Sequence, residues 1–82
     1  MIDPEQVDLG QLKATLGRLV PATAREGFVV GRTNLRDCAA RELKCSLAMA
    51  EQLIDTMVAR GFLRFEEPAA PGEFGLWRVA DD

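Results

Sequence analysis

The sequence predicts a small α+β domain with three helices and a short antiparallel sheet, in the order helix, strand, helix, helix, strand, loop, strand. Three observations predict it. Apolar residues recur at helical spacing in three stretches: up to Val20, between Leu35 and Leu43, and between Leu47 and Val58. A turn of about three residues, ending at Ser46, separates the second stretch from the third. Beyond Gly61 the residues become bulky and strand-prone, Phe62 to Phe65 and again Phe74 to Val79, on either side of a proline-containing loop.

In chain order, Asp3-Pro4-Glu5-Gln6 is a helix start: an aspartate N-cap, a proline at the first helical position, and acids near the positive end of the dipole. A helix over 4–19 follows, with Leu9, Leu12, Leu16, Leu19 and Val20 along one stripe. Gly10 and Gly17 each weaken it by up to about 1 kcal/mol relative to alanine, so docking on the other helices must hold it. Alternatively, the glycines let another backbone approach, such as that of a second copy. Val20-Pro21 ends the helix, because the residue before a proline is pushed out of the α region. Pro21 to Gly27 is a connection, and Phe28-Val29-Val30 predicts a strand over 28–30.

The second helix is expected over 35–43, with Asn34 as N-cap and Asp37 answering in capping-box fashion. Leu35, Cys38, Ala39 and Leu43 form its apolar face. Ser46 is the N-cap of a third helix over 46–60, which Gly61 stops by taking the left-handed conformation without a Cβ clash. Strands over 62–66 and 74–79 then flank a loop over 67–73 whose two prolines limit its conformations. The expected core is Leu12, Leu16, Leu19, Leu35, Ala39, Leu43, Leu53, Ile54, Met57, Leu63 and Trp77. Trp77 is expected to cap that core against the first helix, with partner binding as the alternative.

Eighty-two residues form one domain, 1–82, with a single modest core and no room for a buried active site beneath a lid. Nearly half the residues are hydrophobic and 28% are charged, a globular rather than a disordered composition. No apolar run approaches the ~20 residues of a membrane span, and the acidic opening MIDPEQVD does not read as a secretory signal. The expectation is therefore a cytoplasmic protein with no membrane contact. The chain has no histidine and no tyrosine, no glycine-rich phosphate loop and no nucleophile–base set, so no enzyme is expected and no cofactor. Cys38 and Cys45 lack the paired spacing of a zinc site, and no metal is expected. They read as a core residue and a turn residue, with a redox pair as the alternative.

Leu35, Ala39, Leu43, Ser46, Leu53, Ile54, Met57, Arg60, Gly61, Phe62 and Leu63 match the skeleton of the winged helix-turn-helix family, which this chain resembles from Asn34 to Val79. The resemblance implies that the 67–73 loop is the wing, that the strand at 28–30 joins the wing's sheet, and that the third helix enters the DNA major groove. The third-helix spacing and the tryptophan-containing last strand also resemble the small winged-helix regulators of bacterial ferrous-iron transport. Many of those carry cysteines in the wing; residues 66–74 have none, so an iron–sulfur cluster is not carried over.

On that resemblance, the nucleic-acid-binding residues would be Arg32, Arg36, Arg41, Lys44, Ser46, Gln52, Thr56 and Arg64. Gln52 would pair with adenine, Ser46 and Thr56 would donate to phosphate or base, and the basic residues would hold phosphates. Ala48 or Met49 would touch a thymine methyl. Glu51 and Asp55 work against this, each lying near phosphates unless it accepts from a cytosine. So does the charge distribution. Residues 1–45 carry seven basic against six acidic side chains, whereas 46–82 carry three against seven, making the recognition half the acidic half of a chain of net charge −3. One such domain supplies few phosphate contacts, which points to a homodimer on double-stranded DNA, in a transcription-regulatory role. The basic residues read equally as a solvated face with ion pairs such as Arg41 with Asp37. The competing function is protein contact through Leu47, Ala48 and Met49, with the acidic wing meeting a basic partner.

Overall fold

The computed structural model describes residues 6–80. Over these residues the chain folds as three α-helices and a two-stranded antiparallel sheet: α1 (Leu9–Leu19), α2 (Phe28–Leu43), α3 (Leu47–Ala59), β1 (Leu63–Glu66) and β2 (Leu76–Val79). The α+β class and the three helices are as the sequence predicts. No helix among the described residues is long and apolar enough to cross a membrane.

The Asp3–Glu5 part of the expected cap lies outside the described residues. Within them α1 begins at Leu9, because Asp8 caps it, its carboxylate accepting from the Gln11 N–H at 3.1 Å. Leu9, Leu12, Leu16 and Val20 face the core, but Leu19 does not and is exposed. The helix ends beneath Val20, whose extended backbone turns its side chain inward where Leu19 was expected to sit. Gly17 faces the chain itself, with Val79 3.5 Å from where its Cβ would be. One turn of 3-10 helix, Ala22–Arg25, leads on to α2.

The largest departure from the expected elements is at the start of α2. Phe28, Val29 and Val30 are its first turn, not a strand, so the helix has 16 residues and Asn34 lies inside it. Gly27, at φ +82°, ends the extended backbone and turns the chain into the helix. The strand role passes to Glu26, which forms a single bridge with Leu76, while the Gly27 N–H donates to the Gly75 carbonyl at 2.8 Å. Asn34 caps nothing; its amide donates to the Ala24 carbonyl at 2.7 Å and ties the 3-10 turn to α2.

That turn crosses α2 at Gly31. A Cβ there would lie 2.7 Å from both the Arg25 carbonyl carbon and the Trp77 ring. Arg25 fixes the crossing, donating from Nε to the Val20 carbonyl at 3.1 Å and from Nη1 to the Trp77 carbonyl at 3.2 Å.

The α2–α3 junction is local by comparison. Lys44 adopts the left-handed conformation at φ 54°. The Ser46 hydroxyl accepts from the Met49 N–H at 3.1 Å, so the expected N-cap is present. At the far end of α3, Gly61 at φ +80° lets the Phe62 N–H reach back to the Met57 carbonyl at 2.8 Å, a Schellman closure.

β1 starts immediately and pairs with β2 in the register Leu63–Val79, Arg64–Arg78, Phe65–Trp77, Glu66–Leu76. The returning strand begins at Leu76 rather than Phe74, because Gly75 is taken up by the bond from Gly27 and packs against the Phe65 ring. The core comprises Leu9, Leu12, Leu16, Val20, Leu35, Cys38, Ala39, Ala50, Leu53, Ile54, Met57, Leu63 and Trp77. Leu43 is partly buried against it. Lys13 is buried beside it, its ammonium 5.8 Å from the centre of the Phe62 ring.

Candidate functional site

Two helices joined by a short turn present one face, and the charges on it belong to both. Arg32 on α2 reaches across to α3, where one Nη meets Glu51 at 3.0 Å and also contacts Asp55. Arg36, one turn further along α2, meets the other Glu51 oxygen at 3.4 Å. It also donates twice to Asp37, at 3.1 and 2.9 Å. The hydrogen bond to Asp37, reinforced by Glu51, makes Arg36 hold its proton more tightly than an ordinary arginine. Asp37 is thus engaged by Arg36 rather than by the Arg41 the helical spacing suggests.

Glu51 and Asp55, which the sequence marks as obstacles to phosphate binding, are therefore the internal counter-ions of Arg32 and Arg36. A phosphate would have to displace these carboxylates and would then lie against them.

The other expected contact residues divide by what their polar atoms already do. Ser46 is exposed, with its hydroxyl engaged in the cap. Thr56 is half-buried and donates to the Gln52 carbonyl at 2.9 Å within its own helix. Gln52, Arg41 and Lys44 are exposed. Arg64 lies on the sheet, where Glu66 accepts from it at 3.1 Å and from Arg78 at 2.8 Å. Those bonds, Arg78's above all, hold the Glu66 carboxyl below the usual carboxylate range. Of the three residues expected to make a protein contact, Leu47 and Ala48 are exposed, but Met49 is half-buried and packs against the core. Burial pushes the Cys38 thiol up, against a smaller opposing effect of Arg41; Cys38 and Cys45 are both free thiols.

A second feature emerges only in three dimensions. Phe28, Phe65 and Trp77 form an aromatic triad with ring centres 5.2, 5.3 and 5.4 Å apart. The Trp77 indole N–H donates to the Phe28 carbonyl at 2.9 Å and thereby holds the first turn of α2 on the sheet. The triad lines a surface groove of about 660 Å³, together with Val58 and Leu63 and with Arg32, Arg64 and Arg78 among its polar lining.

Beside the groove lies a set of exposed apolar side chains. Phe28 is 55% exposed, Val29 71%, Val30 63% and Phe74 75%. The Gly27–Gly75 hydrogen bond joins the residues flanking Phe28 and Phe74, so these side chains lie around one junction of helix and loop. The sequence displays the Phe28–Val30 run plainly; what hides its exposure is the expectation that it forms a strand of the sheet.

Comparison with protein families, curated proteins and solved structures yields no match. Among the described residues no cluster of carboxylates and thiols is suited to hold a metal ion. At the surface, the described residues present guanidinium–carboxylate pairs, an aromatic groove and exposed aliphatic and aromatic side chains.

Proposed function

We propose that the chain is a small winged-helix-like module that works through protein contact. The element order supports the winged-helix reading: a helix, one bridging residue at Glu26, a helix-turn-helix pair, and a hairpin whose loop corresponds to the wing. On this reading the first strand of the family is reduced to that single bridge. The observation that carries the function is the exposed apolar set Phe28, Val29, Val30 and Phe74, each more than half accessible. Displaying two phenylalanines and two valines at one junction costs a small acidic chain solubility, and such patches mark contact surfaces. Leu47, at the start of α3 and 51% exposed, is a separate exposed apolar residue toward the other end of α2.

DNA binding is the second reading, supported by the exposure of Gln52, Arg41 and Lys44 near the start of α3. The pairing of Arg32 and Arg36 with Asp37, Glu51 and Asp55 weighs against it, because the two arginines best positioned to meet a backbone are already neutralised.

Titration against random and genomic duplexes at about 50 mM and 200 mM salt separates the readings, since phosphate contacts make affinity fall steeply with salt. Protein contact requires little binding at either concentration. It also requires that Val29→Lys with Val30→Lys abolish co-purification of the partner, while Arg41→Glu with Lys44→Glu leaves it intact. Salt-dependent binding that the Arg41/Lys44 pair abolishes would instead establish the DNA reading.

A further inference from the structure

We propose that the outer edge of β1 pairs with the same edge of a second copy, making a continuous four-stranded sheet across a two-fold axis through Phe65. β1 has β2 on one side only, and among the described residues no strand pairs with its other side. The Ala80 N–H donates to the Phe62 carbonyl at 2.9 Å, which fixes the alternation of the ladder: Arg64 and Glu66 direct their backbone groups to β2, and Leu63 and Phe65 direct theirs outward.

The outward-facing window has natural ends. Among the outward-facing positions Gly61 spends its N–H on the Val58 carbonyl at φ +80°, and after Glu67 the chain enters the proline-containing loop. The usable stretch is 63–67, and its centre is Phe65.

Charge selects the same register. Only pairings that match outward-facing residues with one another are open to this edge. Centring the pair on Arg64 sets Arg64 opposite the partner's Arg64, and centring it on Glu66 sets two carboxylates together. Centring it on Phe65 places Arg64 opposite the partner's Glu66 and Glu66 opposite the partner's Arg64, in the non-hydrogen-bonded positions where side chains lie closest. On the opposite face of the sheet Phe65 meets the partner's Phe65, extending the aromatic groove across the axis. The contact is isologous, so each favourable pair occurs twice. An edge carrying the self-complementary sequence Arg64-Phe65-Glu66 differs from the usual protected edge, in which one sign of charge repels a second copy.

The test uses the full chain in sedimentation velocity from about 10 µM to about 1 mM, the range in which weak specific contacts show. A reversible dimer is expected, with Leu63 and Phe65 amides exchanging more slowly as concentration rises. Arg64→Glu, at an exposed position that does not endanger folding, should raise the dimer dissociation constant by about tenfold or more by facing two carboxylates across each pair. Arg64→Glu combined with Glu66→Arg restores the cross-axis pairs and keeps a partner for Arg78, which lies directly across β2 from position 64. It should return the constant to within about threefold of the parent, two ion pairs having been remade. A chain still monomeric at about 1 mM overturns the proposal. So does a dimer indifferent to Arg64→Glu, a charge swap without rescue, or a dimer that Val30→Lys dissolves while the Leu63 and Phe65 amides stay unprotected.

Discussion

The two ends of α2 are built by opposite means. Its C-terminal end is made by neighbours in sequence: Lys44 turns left-handed, Ser46 caps α3 three residues before its bonded N–H, and the chain needs no distant help. Its N-terminal end is made by residues far away. The Phe28 carbonyl is held by Trp77, the Gly27 N–H by Gly75, and the turn before it by Asn34 and Arg25. A helix terminus needs its unpaired backbone groups satisfied, but either a local side chain or a distant strand can satisfy them.

The strongest way to break this comparison is at Gly31, where the distant contacts converge. Gly31→Val should destabilise the fold by about 3 kcal/mol or more, because the added side chain meets the Arg25 backbone and the Trp77 ring, neither of which can yield independently. The midpoint of urea unfolding, read by Trp77 fluorescence, measures it. A loss below about 1 kcal/mol would show that the crossing is looser than its geometry, since replacing a glycine in an open helix costs nothing and gains a few tenths of a kcal/mol.

Legibility follows the same division. Ser46 and Gly61 are readable because each depends on chemistry within four or five residues, and the hairpin because two bulky, strand-prone runs flank a proline-containing loop. Phe28–Val30 was not, since β-branched and aromatic residues favour strands only weakly and context decides. Here Gly27 and the Trp77 indole decide for helix. Nor was Asn34, an N-cap by type that spends its amide on the Ala24 carbonyl instead. At the candidate site, Arg32 and Arg36 were visible as a basic pair and Glu51 and Asp55 as a conflict. That the conflict resolves into ion pairs depends on helices meeting across 15 to 23 residues of chain. The exposed Val29 and Val30 were legible as apolar and illegible as surface, because a strand assignment gives them the wrong neighbours.

A paired substitution sharpens the contrast. Asn34→Ala removes a part-buried amide donor and leaves the Ala24 carbonyl unmatched, which should cost about 2 kcal/mol. Ser46→Ala removes an exposed cap and should cost about 1 kcal/mol, and Ser46→Asp should restore most of it. Chemical denaturation of the three variants checks the order. Equal losses at 34 and 46 would mean that the distant bond contributes no more than the local one, and the distinction between the two ends would then be geometric only.

The smallest expected effect places the same question inside one side chain. Glu66 accepts from Arg78, 12 residues away across the sheet, and from Arg64, two residues away on its own strand. Both lower its pKa, Arg78 the more. A carboxyl whose folded pKa lies below its unfolded one adds stability that is fully present above the unfolded value, near 4.3, and that is lost as pH falls through the folded value. Arg78→Gln should therefore move the Glu66 titration up toward the ordinary carboxylate range further than Arg64→Gln does, and should flatten the acid limb of the stability curve more. Carboxyl NMR titration of each variant, at a concentration where the chain is monomeric, reads the shift directly. The reverse order would mean that the near neighbour controls Glu66, and that here sequence proximity outweighs the strand pairing.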